Sequence, residues 1–211
     1  ELQESAAYLA RGEPGDETDV ELTLVARAAL GERPAELVAR VQALRRPDGS
    51  IGATLNSTIW GILALRAAGE PVPAATVRYL LARQHRSGGW SWARAGAPDS
   101  NDTAAAIQAL EAAGVRGLPI RRGLAFLRRL QNRDGGFELT ERRGSDAQST
   151  AWAIQALLAT GERAPPAALR YLARLRRPDG SYRYSVRYAV TPVWVTAQVL
   201  TAVAGKPLPI R

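Results

Sequence analysis

The sequence predicts an all-α protein made of repeated helical hairpins. Two glycine ladders and an alternation of polarity predict it. The segments PDGSI (47–51), RSGGW (86–90), RDGGF (133–137) and PDGSY (178–182) recur, and their first glycines, Gly49, Gly88, Gly135 and Gly180, are 39, 47 and 45 residues apart. A second ladder, Gly31, Gly69, Gly114, Gly161 and Gly205, has steps of 38, 45, 47 and 44. Each of these glycines closes an Ala/Leu-rich run, where a helix C-terminal glycine belongs. The unit is helix, glycine-rich loop, helix, glycine stop. Self-similarity at such a period is the mark of a repeat architecture.

Five hairpins follow in order. The first helices of the units are expected over 2–11, 34–45, 73–85, 119–131 and 165–176. The returning helices are expected over 19–30, 57–68, 102–113, 149–160 and 191–204. First helices carry arginine on one face (Arg40 and Arg45, Arg78 and Arg83, Arg121 to Arg129, Arg170 and Arg174). Their opposite face is apolar at helical spacing, as in Leu124, Leu127 and Leu130, which is the pattern of an amphipathic outer helix. The returning helices 149–160 and 191–204 contain no charged residue. A helix apolar all round is buried on all sides, so the returning helices form an inner layer. Counting back from the stop glycines gives Asp19, Ser57, Asp102 and Ser149 as N-caps, with Thr191 before Pro192 in the last unit. No strand is expected. SYRYSVRYAV (181–190) alternates in polarity but lies between two helices and reads as loop.

Composition narrows the chemistry. The 211 residues make a single repeat domain over 1–211. The chain has no cysteine, which excludes disulfides, thiolate zinc sites and thiol nucleophiles. His85 is the lone histidine and reads as a surface or capping residue. The formal net charge is +8, and all but Lys206 of the 28 basic residues are arginine spread along the whole chain. That spread reads as solvated surface and not as a nucleic-acid interface. No apolar run approaches the length of a membrane span. The sequence opens on Glu1 and contains no methionine, so it reads as trimmed, and its compartment does not follow from it.

Two segments carry a resemblance. YLLARQHRSGGW (79–90) and RGLAFLRRLQNRDGGF (122–137) share an aromatic residue, a leucine, a glutamine and a closing Gly-x-aromatic. They resemble the QW repeat of the squalene and oxidosqualene cyclases and related prenyltransferase folds. Units two and five match loosely, with Arg45 and Arg176 at the glutamine position and Ile51 and Tyr182 at the tryptophan position. The resemblance implies an α/α toroid, an inner barrel of helices within an outer ring. It also implies that Gln84 and Gln131 brace loop backbone, with Trp90 and Phe137 packed behind them. Such a toroid has six hairpins. With ten helices the ring is open, closes more tightly, or is completed by a second domain, a subunit or self-association.

The same resemblance frames catalysis. The cyclases protonate their substrate with the middle aspartate of Asp-x-Asp-Asp-Thr-Ala. Here DSNDTA (99–104) places Asn101 in that position, and an amide cannot donate the proton; DAQSTA (146–151) keeps only Asp146. The cysteine-containing zinc site of protein prenyltransferases cannot form, and no Asp-rich magnesium motif is present. Glu138 and Glu141 fall together in a loop and read as solvated charges. NDTAAAIQAL (101–110) and STAWAIQAL (149–157) also resemble the α/α domain of cobalamin carriers. The expectation is a non-catalytic binding or scaffold module without metal or cofactor, taking an apolar or isoprenoid-like ligand. The alternative is an isoprenoid-processing enzyme with a displaced acid, or part of a split enzyme, with Asp99, Asp102 and Asp146 as acid candidates. The expected ligand site gathers Trp60, Trp152 and Trp194, taken as equivalent positions one turn into the inner helices, with Asp99, Asp146, Trp92 and Tyr184 from the loops at its rim.

Overall fold

The structure, a computed structural model, describes residues 2–12, 14–189 and 192–210, so the expected cap Thr191 lies outside the described residues. Ten helices run in the expected order: α1 (Leu2–Arg11), α2 (Glu17–Ala29), α3 (Ala35–Ala43), α4 (Leu55–Ala67), α5 (Ala74–Ala82), α6 (Ser100–Ala112), α7 (Leu118–Arg129), α8 (Ala147–Ala159), α9 (Pro166–Leu175) and α10 (Pro192–Val203). A two-residue antiparallel pair, β1 (Phe137–Glu138) and β2 (Ser145–Asp146), interrupts the loop before α8. It exists because the Glu138 carboxylate accepts bonds from the backbone N–H of Arg142 and Gly144 and pins the turn between them. Glu138 is therefore buried and structural, which corrects its reading as a solvated charge, while Glu141 is exposed.

The inner layer is α2, α4, α6, α8 and α10, each packed on the next in chain order, with the odd-numbered helices outside. The arrangement follows from polarity. Ser100 and the run from Asp102 to Glu111 are buried, as is the run from Ser149 to Leu157, whereas the arginine faces of α7 and α9 remain in water. Helix α10 departs from expectation. It carries no charge, yet Val193 is 84% exposed and Leu200 and Val203 are also exposed. The physical reason is that, among the described residues, α8 is the one helix packed extensively on it.

Both glycine ladders have a geometric cause. Gly31, Gly69, Gly114, Gly161 and Gly205 all have positive φ. The N–H of the residue after each glycine reaches back to the carbonyl of Arg27, Leu65, Leu110, Leu157 or Thr201, the bond that ends a helix in a Schellman motif. In the loop ladder, a β-carbon on Gly88 would collide with the carbonyl of Arg122 and one on Gly135 with that of Ala167. The loop of one unit thus packs on the outer helix of the next. At Gly180 nothing lies within 4 Å, because the fifth unit has no successor among the described residues.

Four of the inner helices, α2, α4, α6 and α8, are capped three residues earlier than expected, whereas α10 starts at Pro192 as expected. The N-caps are Asp16, Thr54, Asp99 and Asp146, whose side chains accept the N–H of Asp19, Ser57, Asp102 and Ser149 at 2.7–2.9 Å. The residues expected as caps are instead the third helical residues that the caps hold. A threonine one position further on fixes the register of every later unit. Thr58, Thr103, Thr150 and Thr196 accept the N–H of Ile51, Trp90, Phe137 and Tyr182 at 2.9–3.1 Å. By this register Trp194 aligns with Asn56, Asn101 and Gln148, not with Trp60 and Trp152. The brace residues lie as the resemblance implied. Gln84 Nε2 donates to the carbonyls of Gly88 and Pro119, Gln131 Nε2 to that of Gly135, and Trp90 and Phe137 are fully buried.

Candidate functional site

The inner helices surround a cavity of about 690 Å³. Its wall follows the helical repeat. Asn56, Asn101 and Gln148 stand two residues past their caps, and Trp60, Ala105 and Trp152 stand one turn deeper. Helix α2 contributes Leu22, Val25, Ala26 and Ala29; α10 contributes Trp194, Ala197, Gln198 and Thr201. Trp60 and Trp152 meet edge to face, with ring centroids 5.8 Å apart and planes at 78°. Trp152 is 7% exposed, Trp60 is half-buried and Trp194 is 44% exposed. Trp92 reaches the cavity from the loop between α5 and α6, and its carbonyl accepts the N–H of Asn56.

All four expected tryptophans therefore line one cavity, but the rest of the expected rim does not assemble there. Asp99 turns into its own helix as the cap of α6. Asp146 and Tyr184 line a separate hollow with Asp134, Arg143, Tyr171 and Tyr188. Burial raises the pKa of Asp146, opposed chiefly by the hydrogen bonds from Ser149. Several N-terminal N–H groups of the inner helices are taken: the caps hold those of Asp19, Ser57, Asp102 and Ser149, and the loop carbonyls of Trp92, Leu139 and Tyr184 accept those of Asn56, Ser100 and Ala147. His85 is exposed and its Nδ1 lies 2.8 Å from Ser87 Oγ, a local surface contact.

Asn101 and Asp102 both line the cavity. Asp102 is 7% exposed, and Asn56 Nδ2 donates to its Oδ1 at 2.8 Å. Burial pushes its carboxyl up to about 8, helped by the negative charge of Asp99 and opposed by the bond from Asn56. Five polar lining residues escaped the sequence reading: Asn56, Gln148, Gln155, Gln198 and Thr201. Asn56 looks like an ordinary residue of a helix start. Gln155 belongs to the IQAL phrase shared by 107–110 and 154–157, and the repeat was visible although its lining role was not. Gln198 carried no signal until Thr196 fixed the register of α10.

Residues 70–191 match the squalene-hopene cyclase C-terminal domain family, more than half of the chain. The chain belongs to that family. Solved structures agree at the level of the fold. The type II terpene cyclase MstE from Scytonema, a variant in complex with geranylgeranyl dihydroxybenzoate, superposes with a TM-score of 0.74 at 17% identity, over 97% of this chain and 80% of that one. Protein geranylgeranyltransferase-I of Candida albicans, complexed with GGPP, gives 0.73 at 14% identity over 94% and 70%. A protein from Actinoplanes gives 0.61 at 22% identity, covering 89% of this chain, and this chain spans 61% of its length. No protein of curated function matches in sequence. The fold of this squalene-hopene cyclase relative is the α/α toroid of terpene cyclases and prenyltransferases. Among the described residues its five inner helices form an arc, with no packing between α10 and α2 comparable to that between successive inner helices.

Proposed function

We propose that this squalene-hopene cyclase family member binds an uncharged, apolar, isoprenoid-like molecule in the central cavity and does not transform it. The observation that carries the reading is the aromatic cavity itself, with Trp60, Trp152 and Trp194 on its wall and a volume in the range of small-molecule sites. The neighbours described with isoprenoid-bearing ligands, from Scytonema and Candida, support the ligand class. An uncharged ligand fits because the wall is mainly apolar and aromatic and no Lys or Arg is among the residues that line it.

The absence of turnover rests on Asn101. Protonating an alkene demands a strong acid, and the carboxyl that lines the cavity is shifted the wrong way, up to about 8. One observation favours a second reading, an isoprenoid-processing enzyme with Asp102 as displaced acid: this carboxyl is buried, largely protonated at neutral pH and in contact with the cavity. The experiment is titration of the whole chain with an apolar isoprenoid such as farnesene while tryptophan fluorescence is read. Saturable quenching is expected. Mass spectrometry after prolonged incubation should return the ligand unchanged. A cyclised product that Asp102→Asn abolishes would establish the second reading, and absence of quenching would remove both.

A further inference from the structure

Three adjacent inner helices carry a carboxamide at the same place. Asn56, Asn101 and Gln148 stand two residues past the caps Thr54, Asp99 and Asp146, on α4, α6 and α8. All three line the central cavity and are half-buried. The next lining position, one turn deeper, holds Trp60, Ala105 and Trp152. A polar row thus stands at the mouth, above an apolar and aromatic one. Much of the hydrogen-bonding capacity of this row is unused. Asn56 Nδ2 donates to Asp102 Oδ1 at 2.8 Å, which leaves its Oδ1 as an acceptor. Asn101 Oδ1 accepts from Ser100 Oγ at 3.3 Å, which leaves its Nδ2 as a donor. The Gln148 side chain bonds to no other described residue. None of these free atoms is sealed in the protein, so each can be reached by a water-sized group.

The fold does not require these amides, since the caps and the threonines already fix the helix starts. A few polar groups on an otherwise apolar wall are what fixes the orientation of a small molecule. No Lys or Arg lines the cavity, so nothing there compensates an anionic head. Beside the row, burial raises the pKa of Asp102 to about 8, so the mouth is largely uncharged at neutral pH. We infer that the mouth is a head-group subsite: the ligand is an isoprenoid with an uncharged, hydroxyl-bearing head that bonds among Asn56, Asn101 and Gln148, while its hydrocarbon runs inward past Trp60 and Trp152. A hydroxyl suits the row because it both donates and accepts, as the amides do. The inference rests on the reading of the cavity as an apolar binding site and adds the polarity and direction of the ligand.

The probes are farnesol and farnesene, alike in hydrocarbon and differing in the hydroxyl. Each is titrated into the whole chain and into the double variant Asn101→Leu with Gln148→Leu, with tryptophan fluorescence as readout. A hydroxyl loses hydration on entering any cavity, so each ligand is compared between the two proteins and not with the other ligand. The double variant is expected to bind farnesol about tenfold more weakly, the effect of one to two net hydrogen bonds. It is expected to bind farnesene as tightly as the unaltered chain or more tightly. A loss for farnesol no greater than the loss for farnesene would overturn the head-group subsite and leave the apolar site standing. Binding of farnesene but not of farnesol by the unaltered chain would do the same. Binding of neither would overturn the reading of the cavity and this inference with it. Should the double variant fail to fold, the two single variants are read in the same way.

Discussion

Asp102 and Glu21 are carboxyls in surroundings that disfavour their charge. Glu21 lies fully buried beside Ser57, whose Oγ donates to its Oε1 at 2.7 Å, while its Oε2 has no partner. Burial pushes its pKa up to about 9, as it pushes that of Asp102 to about 8. Between the ordinary carboxylate range and these values the native state holds protons that the unfolded chain has released, so stability falls as pH rises through that window. It flattens above the native pKa values. Asp102→Asn and Glu21→Gln keep the acceptor for Asn56 and Ser57 and remove the ionisation. Each is expected to stabilise the protein by on the order of a few kcal/mol near pH 9 and far less near pH 5. Thermal melts at both pH values check this; a gain independent of pH would show that neither carboxyl is held neutral. Asn101 needs no such accounting, since an amide lines the cavity without a charge to suppress.

At the scale of the element, the loop between outer and inner helix is the repeated device. Its threonine takes the N–H of the motif aromatic, its glycine admits the next outer helix, and its glutamine, where present, ties the turn. Thr103→Val keeps the volume and leaves the buried Trp90 N–H without an acceptor, a loss of about 1–3 kcal/mol. Gly88→Ala places a methyl against the Arg122 carbonyl at a φ of 100° and should cost at least as much. Denaturant unfolding of the two variants measures both, and a neutral Gly88→Ala would refute the packing role of the loop. These loops were legible because glycine at a forced conformation leaves no alternative residue. The helix starts were legible only to within one turn. Asp99 and Asp102 are both suited to capping, and sequence alone does not say which of two polar residues three apart caps and which is held. Trp194 was misplaced for the same reason: Thr191–Pro192 looks like a cap, but the bond from Tyr182 N–H to Thr196 sets α10 in a different register.

For the whole molecule, the toroid could be read from period and polarity, whereas the cavity could not. Its walls come from all five inner helices, and residues such as Leu22 and Gln198 meet only after the arc is formed. Nor could the role of the last residues be read. Leu208 and Ile210 line the cavity, and Leu208 ties to Gln108 across 100 positions of sequence. A chain ending at Gly205 is expected to keep its helices by circular dichroism and to bind an apolar probe more weakly, with one end of the cavity unroofed. That tie also has a kinetic meaning. The other bonds that join one unit to the next, such as Asn56 to Asp102 and Gln155 to Gln198, span 46 and 43 positions. Closing a longer loop costs more chain entropy, so the tail docks after the hairpins have assembled and leaves before they come apart. Interactions absent from the transition state govern the unfolding rate and not the folding rate. The shortened chain should refold as fast as the full one and unfold faster, which makes the segment after Gly205 a latch on the lifetime of the native state.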